Sequence, residues 1–183
     1  LKTQSNSEFS KKKGKVYVEK WVEKPGAAGD ASVSQQISLP NGIYRLTVGA
    51  QNLSQASLST KNTGMFVFAG DQQTPIYTPD DYSVDFTVIT GTANIGVKAE
   101  GATGNWLALD NFRIYQIGFI DEAALIEELS RIVTNAEGLL SNMMSASAKN
   151  GLSNAISSAK EITSGSKPYD AQVTIILENA IEV

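Results

Sequence analysis

Asn105 and Trp106 stand side by side in the stretch GNWLALDNFRIYQIG, which runs from Gly104 to Gly118. An indole has a flat apolar face, and a carboxamide has both donors and an acceptor. A pyranose ring asks for that pairing: its C–H patch stacks on an indole, and its hydroxyls need amide and carboxylate partners in fixed geometry. Trp106 has a second reading as a cover over one end of the core, because it shares parity with Ala108, Asp110, Phe112 and Ile114. Trp21 divides in the same way. It lies in KVYVEKWV, where Tyr17, Glu19 and Trp21 share one face and Val16 and Val18 the other. A face with Tyr, Glu and Trp is either a half-covered packing surface or the start of a ligand platform. Asp110 suits a structural role, capping backbone N–H groups or binding calcium.

Other chemistries are narrowed by what the chain lacks. Its 183 residues contain no histidine and no cysteine. That removes the commonest general base, the Ser-His-Asp triad, thiolate nucleophiles and disulfides together. An enzyme built from this chain would rely on carboxylates, lysine, tyrosine or a bound ion. Asp80 and Asp81 are adjacent in a turn, and Glu19 and Glu23 flank a strand end. Neither pair has the apolar surroundings that raise a carboxyl pKa, so the expectation is no catalysis. A net charge of −4 with no concentrated basic face argues against nucleic acid. No apolar run approaches the roughly 18 residues of a membrane span, so no membrane insertion is expected. The opening LKTQSNSEFSKKK is polar and has no signal-peptide core. Lys11, Lys12 and Lys13 read as a solvated turn or a frayed start. Asn52-Leu53-Ser54 is a glycosylation sequon, a short pattern of high chance rate.

Around these residues the pattern is strand and turn as far as Gly118. Val33, Gln35, Ile37 and Leu39 alternate, and so do Tyr44, Leu46, Val48 and Ala50. Pro40-Asn41-Gly42 between them predicts a hairpin. Residues 51–63 read as a long surface loop, Pro25 to Asp30 as a flexible loop and Asp71 to Asp81 as mostly connection. In GMFVFA both parities are apolar, which predicts a central strand. Tyr82, Val84, Phe86 and Val88 form a half-buried strand, and Gly91 turns the chain into Ala93, Ile95, Val97 and Ala99. In the Gly104–Gly118 stretch, Leu107, Ala108 and Leu109 break alternation, which means burial on both faces or a bulge near Asp110. Phe112 and Ile114 are expected in the core. From Asp121, a helix cap, the period becomes helical: Leu125, Leu129, Ile132, Ala136, Leu139 and Met143 make one stripe. A second helix carries Leu152, Ala155 or Ile156, Ala159 and Ile162, and ends at Gly165. A third has Pro168 in its first turn, then Tyr169, Val173, Ile176, Leu177, Ala180 and Ile181.

These readings predict an all-β jelly-roll sandwich over residues 1–118 and a small C-terminal three-helix bundle over residues 119–183. The segments VYVEKW, GDASVSQQISLPNGIYRLTVGAQN and GNWLALDNFRIYQIG together resemble galactose-binding-like β-sandwich modules attached to bacterial glycoside hydrolases of Bacteroides type. These are similar to carbohydrate-binding modules of families six and thirty-five. LSNAISSAK and YDAQVTIILENAI resemble the FIVAR-type three-helix module of secreted surface proteins. The resemblance implies a non-catalytic module that binds a polysaccharide or glycan in edge loops or on a concave sheet face. It places Asn105 and Trp106 in the ligand loop, with Trp21 or Tyr17 as a second aromatic. It implies a structural calcium with Asp110 as ligand and Glu8 or Glu19 as candidate partners. It also implies an exported protein, in the periplasm, at the cell surface or secreted, attached to further domains. A structural or protein-interaction module without sugar binding is the alternative.

Overall fold

The computed structural model describes residues 1–183 apart from 24–25, 56–60, 143–144 and 183. Pro25 of the flexible loop, the middle of the polar stretch 51–63, and Met143 at the end of the helical stripe lie outside the described residues. The chain divides into two units, Leu1–Phe119 and Ile120–Val183.

The first unit is two antiparallel sheets packed face to face. Its strands are β1 (Lys2–Gln4), β2 (Tyr17–Trp21), β3 (Gly29–Ser38), β4 (Gly42–Leu53), β5 (Met65–Ala69), β6 (Gln72–Pro75), β7 (Asp80–Val88), β8 (Thr92–Ala102) and β9 (Trp106–Gly118). One sheet has the order β1-β2-β9-β4-β7 and the other β3-β8-β5-β6. Leu46, Val48 and Ala50 of β4, with Val84, Phe86 and Val88 of β7, meet Met65 and Val67 of β5 and Ile95 and Val97 of β8 in the shared core. β5 lies between β8 and β6, which suits its two apolar parities.

Pro40-Asn41-Gly42 does not close a hairpin. β3 pairs with β8 in one sheet, and β4 pairs with β7 and β9 in the other. The turn carries the chain across the core. Gly91, with φ of 73°, makes the neighbouring passage from β7 to β8. Leu39 N–H donates to the Gly91 carbonyl at 2.9 Å, and Gly91 N–H donates to Asn41 Oδ1 at 3.2 Å. Alternation reveals which side chains face inward. Strands lining opposite walls of one core show the same alternation as strands of one hairpin.

Two polar stretches are also more ordered than their composition suggests. Gln51, Asn52 and Leu53 are the end of β4 and are buried. Asn52 tolerates burial because its Nδ2 donates to the Thr63 carbonyl at 3.0 Å and its Oδ1 accepts from Gly104 N–H at 3.2 Å. Within residues 71–81, Gln72–Pro75 pairs with β5 as β6. The lysine run is anchored rather than solvated. Phe9 is 2 % exposed and packs on Tyr17 with ring centroids 5.3 Å apart; burying such a side chain is worth about 1.5–3 kcal/mol. Lys11 reaches both Asp80 and Asp81 at 3.2 Å, Lys12 Nζ donates to the Asn6 carbonyl at 2.6 Å, and Lys13 N–H donates to Asp110 Oδ2 at 2.8 Å. A Cβ on Gly49 would meet Lys11 Cβ at 2.9 Å, so the bare backbone there lets the segment lie close.

β9 has two halves. Leu107 and Leu109 face the sandwich core, while Trp106 and Ala108 join Phe9, Tyr17 and Leu53 in a smaller cluster on the opposite face. This half is therefore buried on both sides. Its pairing with β4 then shifts between Thr47 and Gly49, where Asn111 and Phe112 stand opposite Val48, and Asn111 takes φ of 60°. The bulge inverts the parity that follows. Ile114 packs against the core, but Phe112 is 38 % exposed at its rim, contrary to its expected burial.

The second unit comprises α1 (Glu122–Leu139), α2 (Ala146–Thr163) and α3 (Ala171–Ile181). Asp121 caps α1 by accepting from Ala124 N–H. Leu129, Ile132, Ala136, Leu152, Ile156 and Leu177 share one core. Pro168 precedes α3 instead of lying in its first turn, because Asp170 is the N-cap and accepts from Gln172 N–H. Ile176 is 56 % exposed and lies outside the α3 stripe.

Candidate functional site

Strand β2 presents Tyr17, Glu19 and Trp21 on the face of its sheet away from the sandwich core, with Trp106 directly across from Trp21 on β9. Glu19 pairs across to Ala108, whose small side chain leaves room above it. Glu19 is 4 % exposed. A buried carboxylate needs donors, and it has them. Trp106 Nε1–H donates to Glu19 Oε2 at 2.9 Å, and the Tyr17 hydroxyl lies 3.3 Å from the same oxygen and 2.8 Å from Asn6 Oδ1. Lys2 Nζ at 3.3 Å and Gln4 Nε2 at 3.4 Å reach the other oxygen, Oε1. Burial, reinforced by the Glu19 charge, pushes the Tyr17 phenol up to about 12. It therefore stays a neutral donor.

Above this network opens a cleft of about 290 Å³. Its floor is Glu19 and Trp106, and Trp21 and Gln55 stand on one side with Lys2 and Gln4 on the other. Trp21 is 46 % exposed. Its Nε1–H donates to Gln55 Oε1 at 2.8 Å, which fixes the indole at the rim. Gln55 is itself held by Asn105: its N–H donates to Asn105 Oδ1 at 2.8 Å, and Asn105 Nδ2 lies 3.4 Å from Gln55 Oε1. Asn105 Nδ2 also donates to the Val22 carbonyl at 2.9 Å.

Thus Tyr17, Glu19, Trp21, Asn105 and Trp106 belong to one connected arrangement, in different places. Tyr17, Asn105 and Trp106 are buried beneath or beside the cleft, and Trp21 is the aromatic that faces out. Gln55, Gln4, Asn6 and Lys2 complete it. No sequence signal marked them, since β1 is only three residues long and Gln55 sits in a stretch rich in serine and polar amides. Asp110 stands apart. Its Oδ2 accepts from Lys13 N–H and its Oδ1 from Asn111 N–H at 2.7 Å, so it anchors backbone. Glu19 is engaged by Trp106 and Tyr17. These two carboxylates do not converge on one ion, and no group of three His, Cys, Asp or Glu side chains gathers for a metal among the described residues. The residues present do not fit the expected calcium site.

Two other surfaces compare poorly. A groove of about 400 Å³ beside Ile43, Asp71 and Asp85 has Phe86 as its aromatic, and that ring is buried. The outer face of the four-stranded sheet carries Phe66 and Phe68, half-buried, with Lys98 Nζ 5.9 Å from the Phe66 ring centroid.

No protein-family model matches the sequence, and no curated protein matches it. Among solved structures the chain is similar to a CBM61 carbohydrate-binding module in complex with β-1,4-galactotriose, at 21% identity and TM-score 0.46, over 63% of this chain and 81% of that one. It is also similar to a cyclase from Fischerella sp. TAU in complex with 4-(1H-indol-3-yl)butan-2-one, at 19% identity and TM-score 0.39, over 59% of this chain and 67% of that one. A CBM4 structure matches at 16% identity and TM-score 0.31, over 46% of this chain and 60% of that one.

Proposed function

We propose that the sandwich is a non-catalytic carbohydrate-binding module, a galactose-binding-like jelly roll that uses the Trp21 cleft as its glycan site. The observation that carries this reading is Trp21: an exposed indole held by Gln55 at the rim of a cleft with a buried carboxylate in its floor. The ring supplies the stacking face, and Glu19, Gln4 and Gln55 supply the hydroxyl partners. Tyr17 and Trp106 position Glu19, and Asn105 positions Gln55. The non-catalytic part is supported by the state of the acidic groups. Asp81 N–H and then Lys11 hold Asp80 below the usual carboxylate range, so it is no general acid at neutral pH. Glu19, the buried carboxylate among the described residues, is taken up by Trp106, Tyr17, Gln4 and Lys2. An accessory role in an exported bacterial protein of glycoside hydrolase type, with the FIVAR-like bundle as spacer, rests on the sequence resemblance. No helix among the described residues is long and apolar enough to cross a membrane.

A glycan array tests the reading. The intact chain should bind plant or host glycans, and Trp21→Ala should abolish binding with an unchanged melting temperature. Absence of binding to every glycan would favour the structural or protein-interaction alternative. Binding that survives Trp21→Ala but falls with Phe68→Ala would move the site to the other sheet.

A further inference from the structure

Glu19 divides its two oxygens unequally. Oε2 is committed to buried partners, the Trp106 indole N–H at 2.9 Å and the Tyr17 hydroxyl at 3.3 Å. Among the described residues Oε1 receives Lys2 Nζ at 3.3 Å and Gln4 Nε2 at 3.4 Å, both at the long end of hydrogen-bond range. Both come from β1, a three-residue strand at the outermost position of its sheet, paired only with β2. The Lys2 side chain is 60% exposed while that of Glu19 is 6% exposed. A solvated lysine held by one weak contact costs little to move. A buried carboxylate without a counter-charge costs much more.

This asymmetry decides what the cleft accepts. A ligand seated against Trp21 and reaching Glu19, roughly 7 Å along the same strand face, enters the space that the Lys2 ammonium now fills. If the ligand brings only hydroxyls, displacing Lys2 leaves the buried carboxylate without its cation. If it brings an ammonium, the charge pair is restored in the same place, with a charge-assisted hydrogen bond. A uronate meets Glu19 and Glu8 in the cleft lining, with Lys2 as the opposing cation. Resting on the carbohydrate-binding reading above, we infer that the cleft selects glycan units bearing a free amino group, hexosamines without an N-acetyl group. Glu19 Oε1 receives the ammonium. Lys2 is an internal stand-in for the ligand's cation.

The test is calorimetric titration of the full chain with glucosamine, N-acetylglucosamine and galacturonate oligomers of equal length. Wild-type protein should bind the glucosamine oligomer at least about tenfold more tightly than the N-acetylated one, and the galacturonate oligomer most weakly. Lys2→Ala removes the competing cation without touching the core, so it should tighten binding of the glucosamine oligomer several-fold, relieve the N-acetylglucosamine oligomer of the same displacement, and keep glucosamine the preferred ligand. Glu19→Gln should erase the preference while retaining Trp21-dependent binding. Equal binding of glucosamine and N-acetylglucosamine oligomers, with Trp21→Ala still abolishing both, would overturn the amino-sugar inference alone. So would a Lys2→Ala variant with unchanged glucosamine affinity, even if Glu19→Gln failed to fold. Failure of all three oligomers to bind, with Trp21-dependent binding of another glycan on the array, would overturn the amino-sugar inference alone, whereas absence of binding to every glycan would overturn the carbohydrate reading on which it rests.

Discussion

Tyr17 gives the sharpest quantitative handle on the buried network. Its phenol is pushed from an ordinary value of 10.0 up to about 12, by burial first and the neighbouring Glu19 charge second. At roughly 1.4 kcal/mol per pH unit, that difference corresponds to about 3 kcal/mol of folding free energy. The folded state holds the proton more tightly than the unfolded chain does. The contribution is therefore complete below the unfolded value, and it is lost as pH rises from about 10 through about 12. Tyr17→Phe deletes this titration. It also deletes the hydroxyl's contacts with Asn6 at 2.8 Å and Glu19 at 3.3 Å, at a cost of about 1 kcal/mol near neutrality. The variant should then be less stable than wild type at neutral pH and more stable at the alkaline end. Urea unfolding of both proteins across the alkaline range measures the difference, in which the titrations of the lysines and other tyrosines cancel. A stability gap that keeps its sign and size from neutral pH to pH 12 would refute the argument. It would mean that Glu19 and the Tyr17 ring do not share a dry site.

Three further substitutions probe separate features. Gly104→Ala would place a Cβ 2.2 Å from Asn52 Oδ1 and 2.7 Å from the Leu53 carbonyl; it should cost about 1–3 kcal/mol in denaturant melts, and a neutral effect would show that the Asn52 junction yields. Asp110→Ala removes the acceptor of the Lys13 and Asn111 N–H groups, at about 2 kcal/mol, whereas a chelator should leave the melting temperature of wild type unchanged; a chelator-induced drop would restore the calcium proposal. Leu177→Ala empties a fully buried position of the helical core. It should cost about 2–5 kcal/mol, seen as early loss of helical circular dichroism with tryptophan fluorescence retained, since Trp21 and Trp106 both lie in the sandwich unit; simultaneous loss of both signals would contradict separate cores.

Periodicity reads burial well, because burial is a property of one side chain at a time. Tyr44, Leu46, Val48 and Ala50 face inward as their alternation requires, and so do Leu152, Ile156 and Ile162 at helical spacing. Partnership is a property of two distant segments, and nothing in ISLPNGIYRL distinguishes a hairpin from a crossing between sheets. The bulge at Asn111 and Phe112 defeats parity for another reason: one extra residue exchanges the faces, so Phe112 reaches the rim although it matches Trp106 in count. Polar composition misleads where amides are satisfied internally, as at Asn52 and Asn105. Phe9, one ring in a run of serines and lysines, gave no periodic signal, yet it fastens that whole segment. In the cleft, the residue types at Trp21 and Glu19 were visible. That one would face solvent and the other would sit beneath it depends on β9 and the segment around Phe9 closing over Tyr17.

The passage at Pro40-Asn41-Gly42 has a consequence for how the chain acquires its structure. Because β3 and β4 part company there, their partners come from far along the polypeptide: Val33 waits for Val97, and Leu46 for Val84 and Ile114. Loop-closure entropy must be met before these distant contacts return anything, so the sandwich has the topology of a slow folder. The helices, whose hydrogen bonds are local, have no such delay. During synthesis the five-stranded sheet lacks its middle strand until β9 has emerged, and the edges of β2 and β4 that pair with it stay open until then. The strand that supplies Trp106 to the cleft is also the one that ends this exposed interval.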